Sequence, residues 1–234
     1  MKKIVLFLGF FLSFTSSASL ITVDTTQWSA EKSPRGISGA KWDVGTDNDV
    51  SQSRHSYGAF VSDFTTSGDF YFSGFMTPKI HHYVNSRGEN MSYNDNDILG
   101  VVFGWENNYN HYRLGWEQGG LNDKSKASGL FLVKEVAGVS NILFQQEISW
   151  QDDMEYNFVV ERSNDDISFT LNDISQSYTD TSFMSGHVGV YVEGQIAAFG
   201  DFATAPSIST IPEPSTFAIF ALGVIGLVSR RFNK

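Results

Sequence analysis

A stretch of twenty residues, Ile98 to Glu117, constrains the fold open to this chain more than any other. Ile98-Leu99-Gly100-Val101-Val102-Phe103-Gly104-Trp105-Glu106 runs into Asn107-Asn108-Tyr109-Asn110 and returns as His111-Tyr112-Arg113-Leu114-Gly115-Trp116-Glu117. Closed on that four-residue loop, with 106 facing 111, the hairpin carries Val101, Phe103, Trp105, Tyr112, Leu114 and Trp116 on one face. Val102, Gly104, Glu106, His111, Arg113, Gly115 and Glu117 take the other. Strand side chains alternate between faces, so a slip of one residue would put Trp and Phe in water. A second hairpin obeys the same arithmetic. Pairing 162 with 167 across Ser163-Asn164-Asp165-Asp166 gathers Phe158, Val160, Ile167, Phe169 and Leu171 on one face, with Arg162 at its edge. Further strands are expected at 68–76, 129–136, 141–148, 186–192 and 196–203. No window keeps a helical period, and no repeat of solenoid length recurs. Many short antiparallel strands with one apolar face predict an all-β, two-sheet antiparallel sandwich.

Both ends of the chain read as transport signals rather than fold. Lys2-Lys3, the apolar run Ile4 to Phe14 and the small residues around Ala18 form a secretory signal peptide over 1–18. The C-terminus reads Pro212-Glu213-Pro214, then Phe217 to Val228, all apolar or Gly, then Arg230-Arg231. As a helix that apolar run spans only about 18 Å. A bilayer core is about 30 Å thick, so the run is short for a permanent anchor. Residues 212–234 closely resemble the bacterial PEP-CTERM sorting signal, with Pro212, Glu213 and Pro214 matching its motif. The resemblance implies an exosortase-type membrane protease as a partner. It also implies a short hydrophobic helix and delivery to the surface or extracellular matrix of a Gram-negative-type bacterium. Lys and Arg at the cytoplasmic-side flank of both apolar segments fit the positive-inside rule, so the expected route is a membrane-bound precursor associated transiently through both termini. Residues 19–203 are then the domain, and 204–211 a linker.

From residue 19 through the PEP motif the chain has 11 basic and 26 acidic residues, a formal charge of −15. Such a surface repels phosphate backbones, so nucleic acid is excluded as a partner. There is no cysteine, which excludes disulfides and thiol catalysis.

Asn96-Asp97-Ile98-Leu99-Gly100-Val101-Val102-Phe103-Gly104-Trp105, followed by Tyr112-Arg113-Leu114-Gly115-Trp116-Glu117-Gln118, resembles the thrombospondin C-terminal lectin-like domain. Trp42 with Val44, Gly68 to Phe75, Gly129 to Lys134, Trp150 with Asp152 and Tyr156, and Gly186 to Tyr191 resemble its other strands. The resemblance covers about 40–203 and implies a concanavalin A-like jelly roll. The calcium repeats, Arg-Gly-Asp and cysteines of that family are absent.

Catalytic signatures fail. The carboxylate pattern Glu-x-Asp-x-x-Glu of related glucanases does not occur, and neither does Gly-x-Ser-x-Gly or His-Glu-x-x-His. Glu106 and Glu117 read as a solvated face with Arg113 as counter-charge. His81-His82 reads as exposed loop. Asp47-Asn48-Asp49 reads as turn chemistry. Asn94, Asp95, Asn96 and Asp97 form an oxygen-rich loop that the resemblance makes a calcium candidate. Tyr93, Tyr109, His82 and Tyr83 are the exposed-looking candidates for glycan contact. The expected function is a secreted, non-catalytic sandwich that binds or organises extracellular material such as exopolysaccharide, with calcium as candidate cofactor. A glycan-active hydrolase or lyase and a purely structural matrix protein are the alternatives.

Overall fold

The computed structural model describes residues 20–32, 39–53, 56–93, 97–118 and 129–206, with His81, Ser92, Tyr93 and Pro206 described in backbone only. Eighteen strands follow one another: β1 (Ile21–Thr22), β2 (Ser29–Lys32), β3 (Trp42–Val44), β4 (Val50–Gln52), β5 (Tyr57–Val61), β6 (Thr66–Ser67), β7 (Phe70–Pro78), β8 (His81–Val84), β9 (Asn90–Tyr93), β10 (Ile98–Asn107), β11 (Asn110–Glu117), β12 (Gly129–Val136), β13 (Val139–Gln146), β14 (Tyr156–Ser163), β15 (Asp166–Leu171), β16 (Ile174–Thr179), β17 (Ser185–Glu193) and β18 (Ala197–Pro206). A short 3-10 turn at Thr25–Gln27 is capped by Asp24, whose side chain accepts from the Thr26 N–H.

Two eight-stranded antiparallel sheets form a sandwich. The first runs β16-β15-β14-β7-β18-β4-β3, with β1 on β18. The second runs β13-β12-β11-β10-β17-β5-β2, with β6 on β17. β8 and β9 pair only with each other among the described residues. Phe72, Phe158, Val160 and Phe199 from the first sheet meet Val101, Phe103, Leu114 and Val190 from the second in one buried cluster. The inner faces interdigitate as in stacked sheets generally. β18 continues through Pro206, so Thr204 and Ala205 belong to the sandwich, and the chain leaves it later than the linker composition from 204 implies.

The second expected hairpin has its expected register, with Arg162 opposite Ile167. Arg162 is not an edge residue, however. It is 1% exposed, with Nη1 donating to the Asp180 carbonyl at 2.9 Å and its guanidinium 5.6 Å from the centre of the Tyr112 ring.

The first hairpin departs from simple alternation. Asn107 pairs with Asn110, but Phe103 pairs with Tyr112, so residues 104–106 face His111 alone. On the other side one extra residue separates Val102, opposite Gly189, from Trp105, opposite His187. Gly104 occupies this bulge at φ +54°, where an L side chain is strained. A bulge of this kind reverses which face follows. Phe103 stays in the main core, and Trp105 turns to the outer face of the second sheet, into a smaller cluster with Ala59, Val61, Val102, Phe131, Val133 and Tyr191.

Candidate functional site

The outer face of the second sheet carries a pocket. It is lined by Gly58 and Ala59 of β5, Trp105 of β10, Asn108 of the hairpin turn, His111 and Arg113 of β11, Glu135 of β12, Ser140 of β13, and Tyr191 and Glu193 of β17. Strand pairing explains the assembly. Val102, Arg113 and Val133 stand side by side on one row, and Ala59, Tyr191, Gly100, Gly115 and Phe131 on the next. The two glycines in the second row leave no room for side chains, since a Cβ on Gly115 would sit 2.4 Å from the Phe131 ring. The Arg113 guanidinium fills this gap between two rings, 5.6 Å from the centre of Phe131 and 4.8 Å from that of Tyr191. Both separations suit cation–π contact.

Arg113 is tied down at its far end. Its Nη1 donates to the Tyr191 hydroxyl at 2.8 Å and to Glu193 Oε1 at 3.1 Å, and Tyr191 donates to the same Oε1. Burial opposes the guanidinium charge, but Tyr191, Glu193 and Glu135 outweigh it and raise its pKa. Glu135 Oε2 accepts from Ser140 Oγ at 2.5 Å.

The His111 ring lies 4.4 Å from that of Trp105, and its Nδ1 is 3.1 Å from the Asn107 carbonyl. Burial first, and the Arg113 charge second, push its pKa down to about 3. Two buried nitrogens in this wall have no protein hydrogen-bond partner among the described residues: His111 Nε2 and Arg113 Nε. Buried polar atoms are rarely left so, and each calls for a partner such as an ordered water or a ligand group.

The residues singled out in the sequence lie elsewhere, with one exception. Tyr109 is half exposed at the hairpin tip, next to the pocket residue Asn108 and against the Gly138 turn. His82 and Tyr83 are exposed on β8, a strand rather than a loop, beside a separate shallow depression with Val84, Asn90 and Met91. The backbone of Tyr93 pairs with His81. Asp97 is exposed, and its carboxylate rests on Gly194: a Cβ there would come within 2.2 Å of Oδ2. Asn94, Asp95, Asn96 and the sorting residues Pro212, Glu213 and Pro214 lie outside the described residues. Asp47-Asn48-Asp49 is a turn, with Asn48 at φ +63° and Gly45 N–H donating to the Asp49 carbonyl at 2.7 Å. Glu117 is 2% exposed and so is no solvated face, and the partner of Arg113 is Glu193 on β17, reached across β10.

Sequence reasoning missed Trp105, His111, Arg113, Glu135, Tyr191 and Glu193 as site residues. A signal was present in β17, where Gly189, Tyr191 and Glu193 alternate on the same outward face as His111 and Arg113. It could be used only once β10 was known to lie between β11 and β17.

Residues 210–231 match the PEP-CTERM protein-sorting motif. The chain carries a PEP-CTERM sorting signal. It is therefore a secreted, exosortase-processed surface or extracellular protein. Among the described residues no helix is long and apolar enough to cross a membrane. No curated protein matches this chain. Solved structures do resemble its sandwich. Carbohydrate-binding module CBM66 of Bacillus subtilis superimposes with a TM-score of 0.56 at 14% identity, over 76% of this chain and 95% of the module. A galectin-like protein of unknown function from Bacillus subtilis gives 0.53 at 11% identity, over 78% and 90%. A putative glycosyl hydrolase from Parabacteroides distasonis gives 0.50 at 12%, over 79% and 90%. At these identities the likeness is one of fold: the domain is a lectin-like jelly roll, as the sequence resemblance implies.

Proposed function

We propose that the exported sandwich binds a glycan of the extracellular material, exopolysaccharide among them, in the pocket between Trp105, His111, Arg113, Tyr191 and Glu193, and does not cleave it. The observation that carries this reading is the charge-compensated Arg113, largely covered and held between two rings, with its Nε and the nearby His111 Nε2 unmatched among the described residues. Sugars present hydroxyl groups beside apolar C–H faces, and sites for them combine aromatic walls with a few fixed polar groups. The fold is shared with a carbohydrate-binding module.

Glycoside hydrolysis needs one carboxyl group as acid and a second as base or nucleophile. The two pocket carboxylates are engaged as acceptors instead, Glu193 by Arg113 and Tyr191, Glu135 by Ser140. A polysaccharide array on the purified protein, run beside a reducing-sugar assay, separates the readings. Binding without sugar release is expected. Sugar release that Glu193→Gln abolishes would establish a hydrolase, and an array with no binding would leave a structural matrix protein.

Calcium is proposed at the loop of Asp95 and Asp97. Among the described residues Asp97 supplies one carboxylate there, and no group of three His, Asp or Glu side chains could hold a metal. Asn94, Asp95 and Asn96 would have to complete the donor set. Melting curves in EDTA and in millimolar calcium test it: a bound ion raises stability by about 2.7 kcal/mol at a hundredfold excess over its Kd. Identical curves would remove the site.

A further inference from the structure

Resting on the glycan reading, a narrower assignment follows from hydrogen-bond polarity. We infer that the pocket selects an uncharged sugar end, with His111 Nε2 accepting a hydrogen bond from a hydroxyl while Arg113 Nε–H donates to the same hydroxyl or its neighbour.

Three observations carry this. The first concerns the His111 tautomer. Its Nδ1 is 3.1 Å from the Asn107 carbonyl oxygen, which can only accept, so Nδ1 bears the hydrogen. Nε2 is then a bare lone pair. Burial and Arg113 keep the ring neutral, with a pKa of about 3, so the lone pair persists at neutral pH.

The second is the pairing of opposite needs. His111 is 4% exposed, and among the described residues neither its Nε2 nor the Nε atom of Arg113, both buried atoms, has a protein hydrogen-bond partner. One atom requires a donor and the other an acceptor. A carboxylate or phosphate oxygen satisfies the arginine and repels the histidine lone pair. An ammonium group does the reverse. A hydroxyl serves both, because it donates and accepts at once.

The third is charge. The single guanidinium is already paired with Glu193 and lies in the field of Glu135, and His111 adds no positive charge. A uronate entering here meets two carboxylates and one engaged cation, and the acidic chain around them. Like charges brought together in a poorly hydrated site are unfavourable.

The test uses the purified protein and polymers paired by parent sugar: galactan with polygalacturonate, mannan with polymannuronate, glucan with glucuronan. Affinity electrophoresis is expected to show retardation by at least one neutral polymer, and its acidic counterpart weaker by about tenfold, the factor that one hydrogen bond lost or mismatched at a charged group produces. His111→Gln, which offers a carbonyl acceptor, should keep most of the binding. His111→Leu should lose about tenfold, with circular dichroism confirming that both variants fold. Equal or tighter binding of the acidic polymers, abolished by Arg113→Ala, would overturn the selectivity and leave the glycan reading intact. Unchanged binding by His111→Leu would overturn the assignment of Nε2, marking it as a contact of buried water. No binding to any polymer would overturn both readings.

Discussion

The rings of Trp105 and His111 stack 4.4 Å apart, tilted by 35°, on the outer face of the second sheet. Strict alternation would put Trp105 beside Phe103 in the core. The bulge at Gly104 places it against His111 instead, and the pocket depends on that reversal.

Gly104→Ala tests the bulge. Its φ of +54° is left-handed, and a Cβ would stand 2.9 Å from Phe183 Cβ and 3.0 Å from the Phe183 carbonyl oxygen. The conformation alone costs about 1–2 kcal/mol for an L residue, and the contact adds to it. A lower melting temperature and an altered tryptophan emission are expected. An unchanged melting temperature and spectrum would mean that the bulge does not need glycine.

Trp116→Ala tests the core. Trp116 is 4% exposed, packs edge-on against Trp150 and Tyr156, and donates Nε1–H to the Ile148 carbonyl at 2.8 Å. Chemical denaturation should show a loss of about 3–5 kcal/mol, as for other large-to-small core changes. A loss below about 1 kcal/mol would contradict this packing.

How much of this was legible in the sequence follows from what sets each feature. Period-2 patterning alone places Val101, Phe103, Tyr112, Leu114 and Trp116 in the core and gives the register of the 157–171 hairpin, because burial of one face determines it. The Trp105 reversal was not legible. Gly104 reads equally well as an ordinary small residue until Gly186 crosses it so closely that a Cβ on Gly186 would lie 2.4 Å from the Gly104 carbonyl carbon. Nor was the site. Arg113 shows its charge in the sequence, but its partner Glu193 is eighty residues away and reaches it only through sheet order. The exposed aromatics that looked ligand-ready, His82 and Tyr83, belong to a separate hairpin.

Asp180 joins the two sheets. It accepts from Tyr112 Oη at 2.5 Å, forms an ion pair with Lys134, and accepts from the Ser182 N–H at 2.8 Å. Burial opposes its charge, but these hydrogen bonds outweigh it and hold the carboxyl well below the usual range. A carboxyl depressed on folding contributes stability above its unfolded pKa, near 4, that is lost as pH falls further. Asp180→Asn should cost about 1–3 kcal/mol at neutral pH, less than a fully buried pair because some solvent reaches it. The cost should shrink in acid. A pH-independent difference would contradict the ionised clamp.

His111 imposes a pH dependence at a higher range. Its pKa falls from 6.5 to about 3 on folding, so below 6.5 the unfolded chain binds a proton that the folded chain refuses. Stability should therefore decline on acidification from about pH 6.5, with a limiting slope near 1.4 kcal/mol per pH unit for this one group. Between pH 6.5 and 5, before most carboxylates titrate, His111→Gln should flatten that slope. Parallel urea midpoints for the two proteins across this window would show that His111 titrates normally in the fold.

The central claim is that the Arg113 pocket holds a glycan. Titration calorimetry of the purified protein with the polysaccharide that binds best on the array measures it directly, with Arg113→Ala and His82→Ala run alongside. Wild type and His82→Ala should bind alike, and Arg113→Ala should lose about tenfold or more, the worth of a charge-assisted hydrogen bond. Full affinity in Arg113→Ala, or loss in His82→Ala alone, would place the binding surface elsewhere and contradict the account.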